Sequence, residues 1–373
     1  MKLPLLLLLF LPLAAFAEQE RFYIGTYTGP GKAQGIYTGL IDTDTGKLGP
    51  VTLTAKANNP GYLALKPDGT NLYAITSDGG GSVTAYRVGL NGSLDFINRI
   101  SSGGGGPCHL SVDPGGDYVF AANYGGATVE SARLNANGSV GAVTGTAAFH
   151  GSGPDPVRQM KSFAHFIAAD PADQFVYACD LGSDHVWGWR FDAATGRLVA
   201  PVPPGIVPPG SGPRHLAFGP RGDFAYVNGE MGRNITTFQR DKSTGALTAI
   251  QTLPLVPGKG PAAGITTAEV VAHPSGRWLY VSSRGDDILA VFAIGTDGKL
   301  TFVQDVPCGV NFPRGFGIDP SGHWLVVAGQ NDGGIAVHAI DTATGRLTFQ
   351  GVQAHVPSAI CVIFAGAATR SNN

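Results

Sequence analysis

The apolar residues of this chain come in short runs, and Gly, Pro, Asn or Asp ends nearly every run. One stretch shows the pattern: Leu216-Ala217-Phe218, Phe224-Ala225-Tyr226-Val227, Ile235-Thr236-Thr237-Phe238 and Leu247-Thr248-Ala249-Ile250. Such runs are too short for helices and rich in β-branched and aromatic residues, so each predicts a strand. The punctuation repeats as well. A Gly turn precedes the last strand of each unit, at Thr45-Gly46, Asn91-Gly92, Asn137-Gly138, Thr195-Gly196, Thr244-Gly245, Asp297-Gly298 and Thr344-Gly345. Asn-Gly and Asp-Gly point to two-residue hairpin turns, whose central residues need φ > 0. A second repeat, out of phase with the first, runs from a Pro through a short strand to Pro-x-Gly, as in Pro213 to Gly222. Its first position reads Pro60, Pro107, Ala164, Pro213, Thr267, Pro313 and Pro357.

Seven copies of four strands, about 50 residues apart, predict an all-β, seven-bladed β-propeller with four antiparallel strands per blade. The phase predicts how it closes. The domain opens on a second strand (22–27) and ends on a first strand (358–364). One blade therefore takes its inner strand from the C-terminus and three strands from the N-terminus, which closes the ring and leaves no free edge there.

Composition narrows the picture further. Gly and Pro make up 81 of the 373 residues, and only 14% are charged, too few for the outer faces of long solvated helices. A hydrophobic content of 43% excludes a disordered chain. The net charge of −2 gives no electrostatic case for nucleic acid or an anionic membrane surface. Lys2 followed by an apolar run (3–16) and Ala15-Phe16-Ala17 predicts a cleaved signal peptide over 1–17, a domain over 18–366 and a disordered tail over 367–373. A periplasmic or secreted protein follows, expected as a monomer. Export permits disulfides, yet Cys108, Cys179, Cys308 and Cys361 are widely separated and lie in apolar strands, so buried free thiols are expected.

In a propeller the inner strands surround a central channel, so the positions just after each leading Pro face its mouth. These read Gly61, Cys108, His165, Arg214, Ala268, Arg314 and Ser358, followed by Tyr62, His109, Phe166, His215, Glu269, Gly315 and Ala359. The ends of the second strands return to the same rim and carry Asn123, Asp180, Glu230, Arg284 and Gln330. A His, a Glu and several Arg thus converge on one channel in a chain poor in charge. No Gly-x-Ser-x-Gly elbow or His-Glu-x-x-His motif is present, so a serine hydrolase or zinc protease reading has no anchor.

Several segments resemble the seven-bladed lactonase family, which includes propeller-type 6-phosphogluconolactonases and the fungal carboxy-muconate lactonizing enzyme. They are Gly25-Thr26-Tyr27-Thr28, Asn123-Tyr124-Gly125-Gly126, Arg158-Gln159 with Ala164-His165, Asp180 to Asp184, Gly212-Pro213-Arg214-His215, Thr267-Ala268-Glu269 and Ser283-Arg284-Gly285. The resemblance implies a lactone hydrolase that works without metal or other cofactor, with His165, Arg214, Glu230 and Arg284 as catalytic residues. Asn123, Arg314, Gln330, His215 and Glu269, at the same repeat positions, are expected to bind substrate. The chain departs from the family where Ser162-Phe163-Ala164-His165 replaces Pro-His-x-His, and where Gly229, Ser283 and Gly329 stand in place of Asn.

The chemistry fits a sugar-acid lactone. A His can deprotonate water near neutral pH, an Arg can stabilise the oxyanion, and Arg also binds carboxylate or phosphate bidentately. Glu230 is expected either to orient His165 or to protonate the leaving ring oxygen. Two other readings stand beside this one: a non-catalytic propeller that binds a ligand or protein, and a muconate-type cycloisomerase.

Overall fold

The computed structural model describes residues 19–366; the expected signal peptide (1–17) and tail (367–373) lie outside the described residues. Among the described residues, 28 strands form seven antiparallel sheets of four, six of them in sequential order and one joining the last strand to the first three. We number the blades 1–7 from the N-terminus. Their inner strands are Ala359–Phe364, Leu63–Leu65, Pro107–Val112, Ala164–Ala169, Pro213–Phe218, Thr266–Ala272 and Pro313–Ile318. Blade 1 is the composite one: Ala359–Phe364 pairs with Gln19–Thr26, from Phe22↔Phe364 to Thr26↔Ala359. The ring closes as the sequence predicted.

The core is divided among the gaps between blades. Between blades 3 and 4, for example, Tyr118, Phe120 and Val129 pack on Ile167, Val176 and Trp189. Burying each large side chain contributes about 1.5–3 kcal/mol, so each gap is a small hydrophobic core.

The repeated turn glycines belong to these gaps, but not as two-residue turns. They sit in longer loops, and only the Gly is left-handed, with φ between 70° at Gly46 and 82° at Gly138. A type I turn followed by a left-handed Gly is the geometry of such loops, so the preceding Asn, Asp or Thr keeps an ordinary φ. Each Gly also lies against the start of the second strand in the preceding blade. A Cβ on Gly298 would come within 2.3 Å of Phe224, and one on Gly245 within 2.4 Å of Phe175. At five of the seven gaps a buried Tyr hydroxyl donates to the turn Gly carbonyl of the next blade: Tyr23 to Gly92, Tyr73 to Gly138, Tyr177 to Gly245, Tyr226 to Gly298 and Tyr280 to Gly345. Between blades 7 and 1, Trp324 Nε1 donates to Thr43 O instead.

One register differs from the sequence reading. In blade 1 the leading position belongs to Ala359, not Pro357. Ala359 pairs with Thr26 as Pro313 pairs with Gly329, and the residues before them, Ser358 and Phe312, are both left-handed (φ 53° and 62°). Pro357 lies one residue further back, in the approach to the strand. Ile360 and Cys361 therefore occupy the channel positions that the sequence had assigned to Ser358 and Ala359.

Candidate active site at the channel mouth

The same irregularity recurs near the start of the inner strands. Pro107 pairs with Asn123 but His109 with Ala122; Ala164 pairs with Asp180 but Phe166 with Cys179; Pro313 pairs with Gly329 but Gly315 with Ala328. Cys108, His165 and Arg314 are thus the extra residues of β-bulges, and blades 1, 5 and 6 have register shifts at the matching place. A bulge takes a residue out of the ladder and re-aims its side chain, which explains why the repeat position after the leading Pro carries the unusual residues.

The next position fills the channel. Tyr62, His109, Phe166 and His215, from blades 2 to 5, form one aromatic cluster, with ring centroids 4.2 Å apart for Tyr62–His109 and 4.4 Å for His109–Phe166. Glu269 follows from blade 6, whereas blades 7 and 1 offer only Gly315 and Cys361. The plug is therefore lopsided.

Above it, at the end of the second strand of blade 5, Glu230 forms ion pairs with three arginines. Arg158 Nη2 lies 2.6 Å from Oε1, and Arg214 Nε and Arg284 Nη2 lie 3.0 and 3.2 Å from Oε2. Burial alone would raise the Glu230 carboxyl, but Arg284, Arg214 and Arg158 outweigh it and hold it at about 2. Burial lowers Arg284 to about 9; it stays largely charged near neutrality, and its guanidinium stacks 5.2 Å from the Phe312 ring centroid. Its buried Nε has no partner among the described residues.

His165 is 5% exposed, edge-on to Tyr124 (5.5 Å) and His215 (5.3 Å). Burial, then the charges of Arg214, His215 and Arg314, push it well below 6.5, so it is a neutral imidazole. Its Nδ1 is buried without a hydrogen-bond partner among the described residues. Glu230 does not orient His165, because its oxygens are occupied by arginines; nor does a carboxyl held at about 2 donate a proton near neutral pH.

Arg214 is 2% exposed and faces two ways. Nε binds Glu230, while Nη1 lies 3.1 Å from His215 Nε2. A guanidinium only donates, so His215 Nε2 accepts and Nδ1 carries the proton, which it gives to Glu269 Oε1 at 2.7 Å. Tyr62 closes the chain through a longer contact, 3.4 Å from its hydroxyl to Glu269 Oε2. Burial raises Glu269 to about 7 and lowers His215 well below 6.5, so the two form a hydrogen-bonded pair with a neutral imidazole.

These groups border two adjoining cavities. The mouth cavity, about 710 Å³, is lined by His165, Glu230, Arg284, Arg158, Tyr124 and Arg314 among others. The second, about 320 Å³, reaches Arg214, His215, Glu269 and Tyr62 and shares Arg314 with the first. The four expected catalytic residues are thus brought together, with Arg314, His215 and Glu269 beside them. Asn123 stands apart: it is fully buried, and its amide donates to Ser102 O and Thr128 Oγ1. Gln330 occupies the rim position of blade 7 without lining either cavity, and its Oε1 is buried without a partner among the described residues. Asp180 is structural, accepting from the backbone of Phe163 and Gly182 and from Ser183 and Trp187. Cys108 lines both cavities, but burial pushes its thiol up to about 12. All four cysteines are free.

Arg158 was missed as a site residue. It comes from the long connection 149–163, where Asp155 Oδ1 accepts from the Val157 and Arg158 amides and the buried Gln159 amide donates to Leu181 O and Asp184 Oδ1. Counting repeat positions does not reach a connection; the Arg158-Gln159 motif was the available signal.

Comparison with known proteins agrees with this fold. Residues 21–364 match the family described as lactonase, 7-bladed beta-propeller. The 6-phosphogluconolactonase of Bacillus subtilis is 34% identical over 351 residues, covering 92% of this chain and 97% of that one. Among solved structures, a putative 6-phosphogluconolactonase of Bacteroides fragilis superposes with a TM-score of 0.85 at 30% identity, covering 95% of this chain and 99% of the other. The periplasmic gluconolactonase of Pseudomonas aeruginosa does so with a TM-score of 0.84 at 29% identity, covering 93% and 99%. With its fold and these matches in agreement, the chain belongs to the seven-bladed β-propeller lactonase family.

Proposed function

We propose that the protein hydrolyses a sugar-acid lactone at the channel mouth, in the manner of a 6-phosphogluconolactonase. The observation that carries this reading is the neutral His165 beside a cavity in which Glu230 fixes three guanidinium groups. His165 accepts a proton from water as the water oxygen bonds to the lactone carbonyl carbon. The carbonyl oxygen becomes an oxyanion facing Arg284 and Arg158, whose positions Glu230 has already set. Collapse breaks the ring C–O bond, and the imidazolium returns the proton to the departing ring oxygen. The product is the open hydroxy acid. Glu230 serves as the anchor of the arginines, and the proton shuttles through His165 alone.

An exported enzyme is part of the proposal; the sequence of residues 1–17 and the periplasmic gluconolactonase among the structural neighbours support it. The test is a pH-stat assay of the mature protein on glucono-δ-lactone, its 6-phosphate and a muconolactone. We expect acceleration above spontaneous hydrolysis on a sugar lactone, and a ~10²–10⁴-fold loss of kcat in His165→Gln with KM little changed. Full activity in that variant refutes the assignment of His165. No acceleration on any lactone favours a binding propeller.

A further inference from the structure

We propose that Asp184 is a positioning residue of this site: from behind the cavity wall its carboxylate fixes Arg158 and the backbone at Glu230, and so sets the guanidinium geometry on which turnover depends. The inference rests on the lactonase reading and goes beyond it, since Asp184 lines neither cavity.

The first argument is position. In blades 3 to 6 the residue just before the third strand is left-handed: Ala127, Asp184, Arg233 and Asp287, with φ between 46° and 59°. In each blade its carbonyl accepts from the amide that follows the fourth strand, at Phe149, Val207, Leu255 and Cys308. Ala127 shows that this turn needs no polar side chain. The Asp184 carboxylate is therefore not required by the turn that carries it.

The second argument is what the carboxylate holds. Asp184 is 6% exposed, and three donors converge on it. Oδ1 accepts from Gln159 Nε2 and from Gly212 N, both at 2.8 Å, and Oδ2 accepts from Gly210 N at 2.7 Å. Two routes lead from these contacts to Glu230. Gln159 is fully buried and also donates to Leu181 O at 2.9 Å, which fixes its neighbour Arg158; Arg158 Nη2 meets Glu230 Oε1 at 2.6 Å. Gly212 accepts at its carbonyl from Glu230 N at 2.8 Å and leads into Pro213 and Arg214, whose Nε meets Glu230 Oε2 at 3.0 Å. One carboxylate thus ties the connections 149–163 and 207–212 together and reaches both oxygens of Glu230. The packing leaves little slack. A Cβ on Gly182 would come within 1.8 Å of Lys161 O, so the connection 149–163 lies directly on the hairpin of Asp184. Removing the carboxylate leaves three buried donors without their acceptor, and the network relaxes around that loss. A guanidinium displaced by a fraction of an ångström then meets the oxyanion poorly.

The test is kinetic and uses the mature protein on the lactone it hydrolyses best. In Asp184→Ala we expect kcat to fall about 10–100-fold, with KM changed by less than about threefold. Asp184→Asn keeps one oxygen that can accept from Gln159 and Gly212, and should recover most of the loss. Gln159→Leu cuts only the arm to Arg158; it should fall between the two, and it carries the test if Asp184→Ala does not fold. Asp319→Ala removes a buried carboxylate at the opposite rim, where Asp319 accepts from Trp324 N, and should lower stability without lowering kcat. The deciding measurement is a double-mutant cycle: adding Asp184→Ala to Arg158→Gln should cost at least about threefold less in kcat than adding it to wild type. Losses that simply multiply, or a kcat in Asp184→Ala equal to that of Asp319→Ala, overturn the proposal. Phenylglyoxal modification followed by mass spectrometry reads the same network without catalysis. Arg158 should be labelled severalfold faster in Asp184→Ala and Gln159→Leu than in wild type and Asp319→Ala. If no lactone is hydrolysed, the lactonase reading fails, and unchanged labelling of Arg158 separately overturns its positioning by Asp184.

Discussion

Glu230→Gln is the sharpest perturbation of this site, because it removes one charge from a buried cluster and changes little in shape. Glu230 titrates near 4.5 in an unfolded chain and at about 2 in the native protein. At about 1.4 kcal/mol for each pH unit between these values, the carboxylate contributes roughly 3–4 kcal/mol to stability at neutral pH. A second route gives a similar size: breaking a buried ion pair by deleting one partner costs about 3–5 kcal/mol, because the guanidinium left behind is uncompensated. Here Arg214 and Arg284 are left, with side chains 2% and 6% exposed. The depressed native value fixes the pH dependence. The contribution is fully present above about 4.5 and is lost as pH falls toward about 2. Urea unfolding followed by tryptophan fluorescence, across pH 7 to 3, should therefore show Glu230→Gln about 3–4 kcal/mol below wild type at pH 7, with the gap narrowing through the acid range. Glu230→Asp, which keeps the charge, should recover part of the loss. A Gln variant within 1 kcal/mol of wild type at pH 7, with the same pH slope, would refute the reasoning that Glu230 is an electrostatic anchor.

Glu269, raised by burial to about 7, should shape the acid limb of activity. As pH falls through about 7 it gains a proton and no longer offers His215 Nδ1–H a full carboxylate. We expect kcat/KM to decline below about 7 in wild type and Glu269→Gln to lack that limb; superimposable profiles reject a role for it. The turn glycines make two demands that can be separated. Gly69 is left-handed (φ 72°) with open space around it, so Gly69→Ala should cost about 1–2 kcal/mol for backbone strain alone. Gly298 (φ 77°) would also drive its Cβ into Phe224, so Gly298→Ala should cost more by a further ~1–3 kcal/mol in thermal or urea unfolding. Equal losses would mean that the gap between blades 5 and 6 yields freely.

The blade count was readable because its signals are local. A left-handed loop position selects Gly, and a strand rim selects Pro, wherever the residue falls in the ring. The same locality explains the error at the closing blade. Pro357 matched the composition of the repeat, but its register is set by pairing with the first strand of the domain, more than 300 residues away. Asn123 and Glu230 looked equivalent at strand ends, yet they differ by one position. Asn123 pairs with Pro107 inside the ladder and aligns with Gly229, whereas Glu230 is the first residue past it. One residue along a strand exchanges buried structure for cavity wall. Arg158 was out of reach of repeat counting because long connections obey no repeat; only its motif with Gln159 marked it.

What makes this ring a site is its departure from its own symmetry. A bulge repeated around the channel offers equivalent side-chain positions, which would serve a symmetric ligand as well as any other. Here adjacent blades hold unlike groups: the bulge of blade 4 carries a neutral imidazole, that of blade 5 a guanidinium, and the rims of blades 5 and 6 a carboxylate and a second guanidinium. The opposite blades carry Gly315 and Cys361 at the plug position, and Arg314, which has no carboxylate partner among the described residues. A substrate bound here has a defined front and back. The low charge of the chain strengthens this polarity, since few other charges stand nearby to blur the field inside a channel walled by apolar sheets.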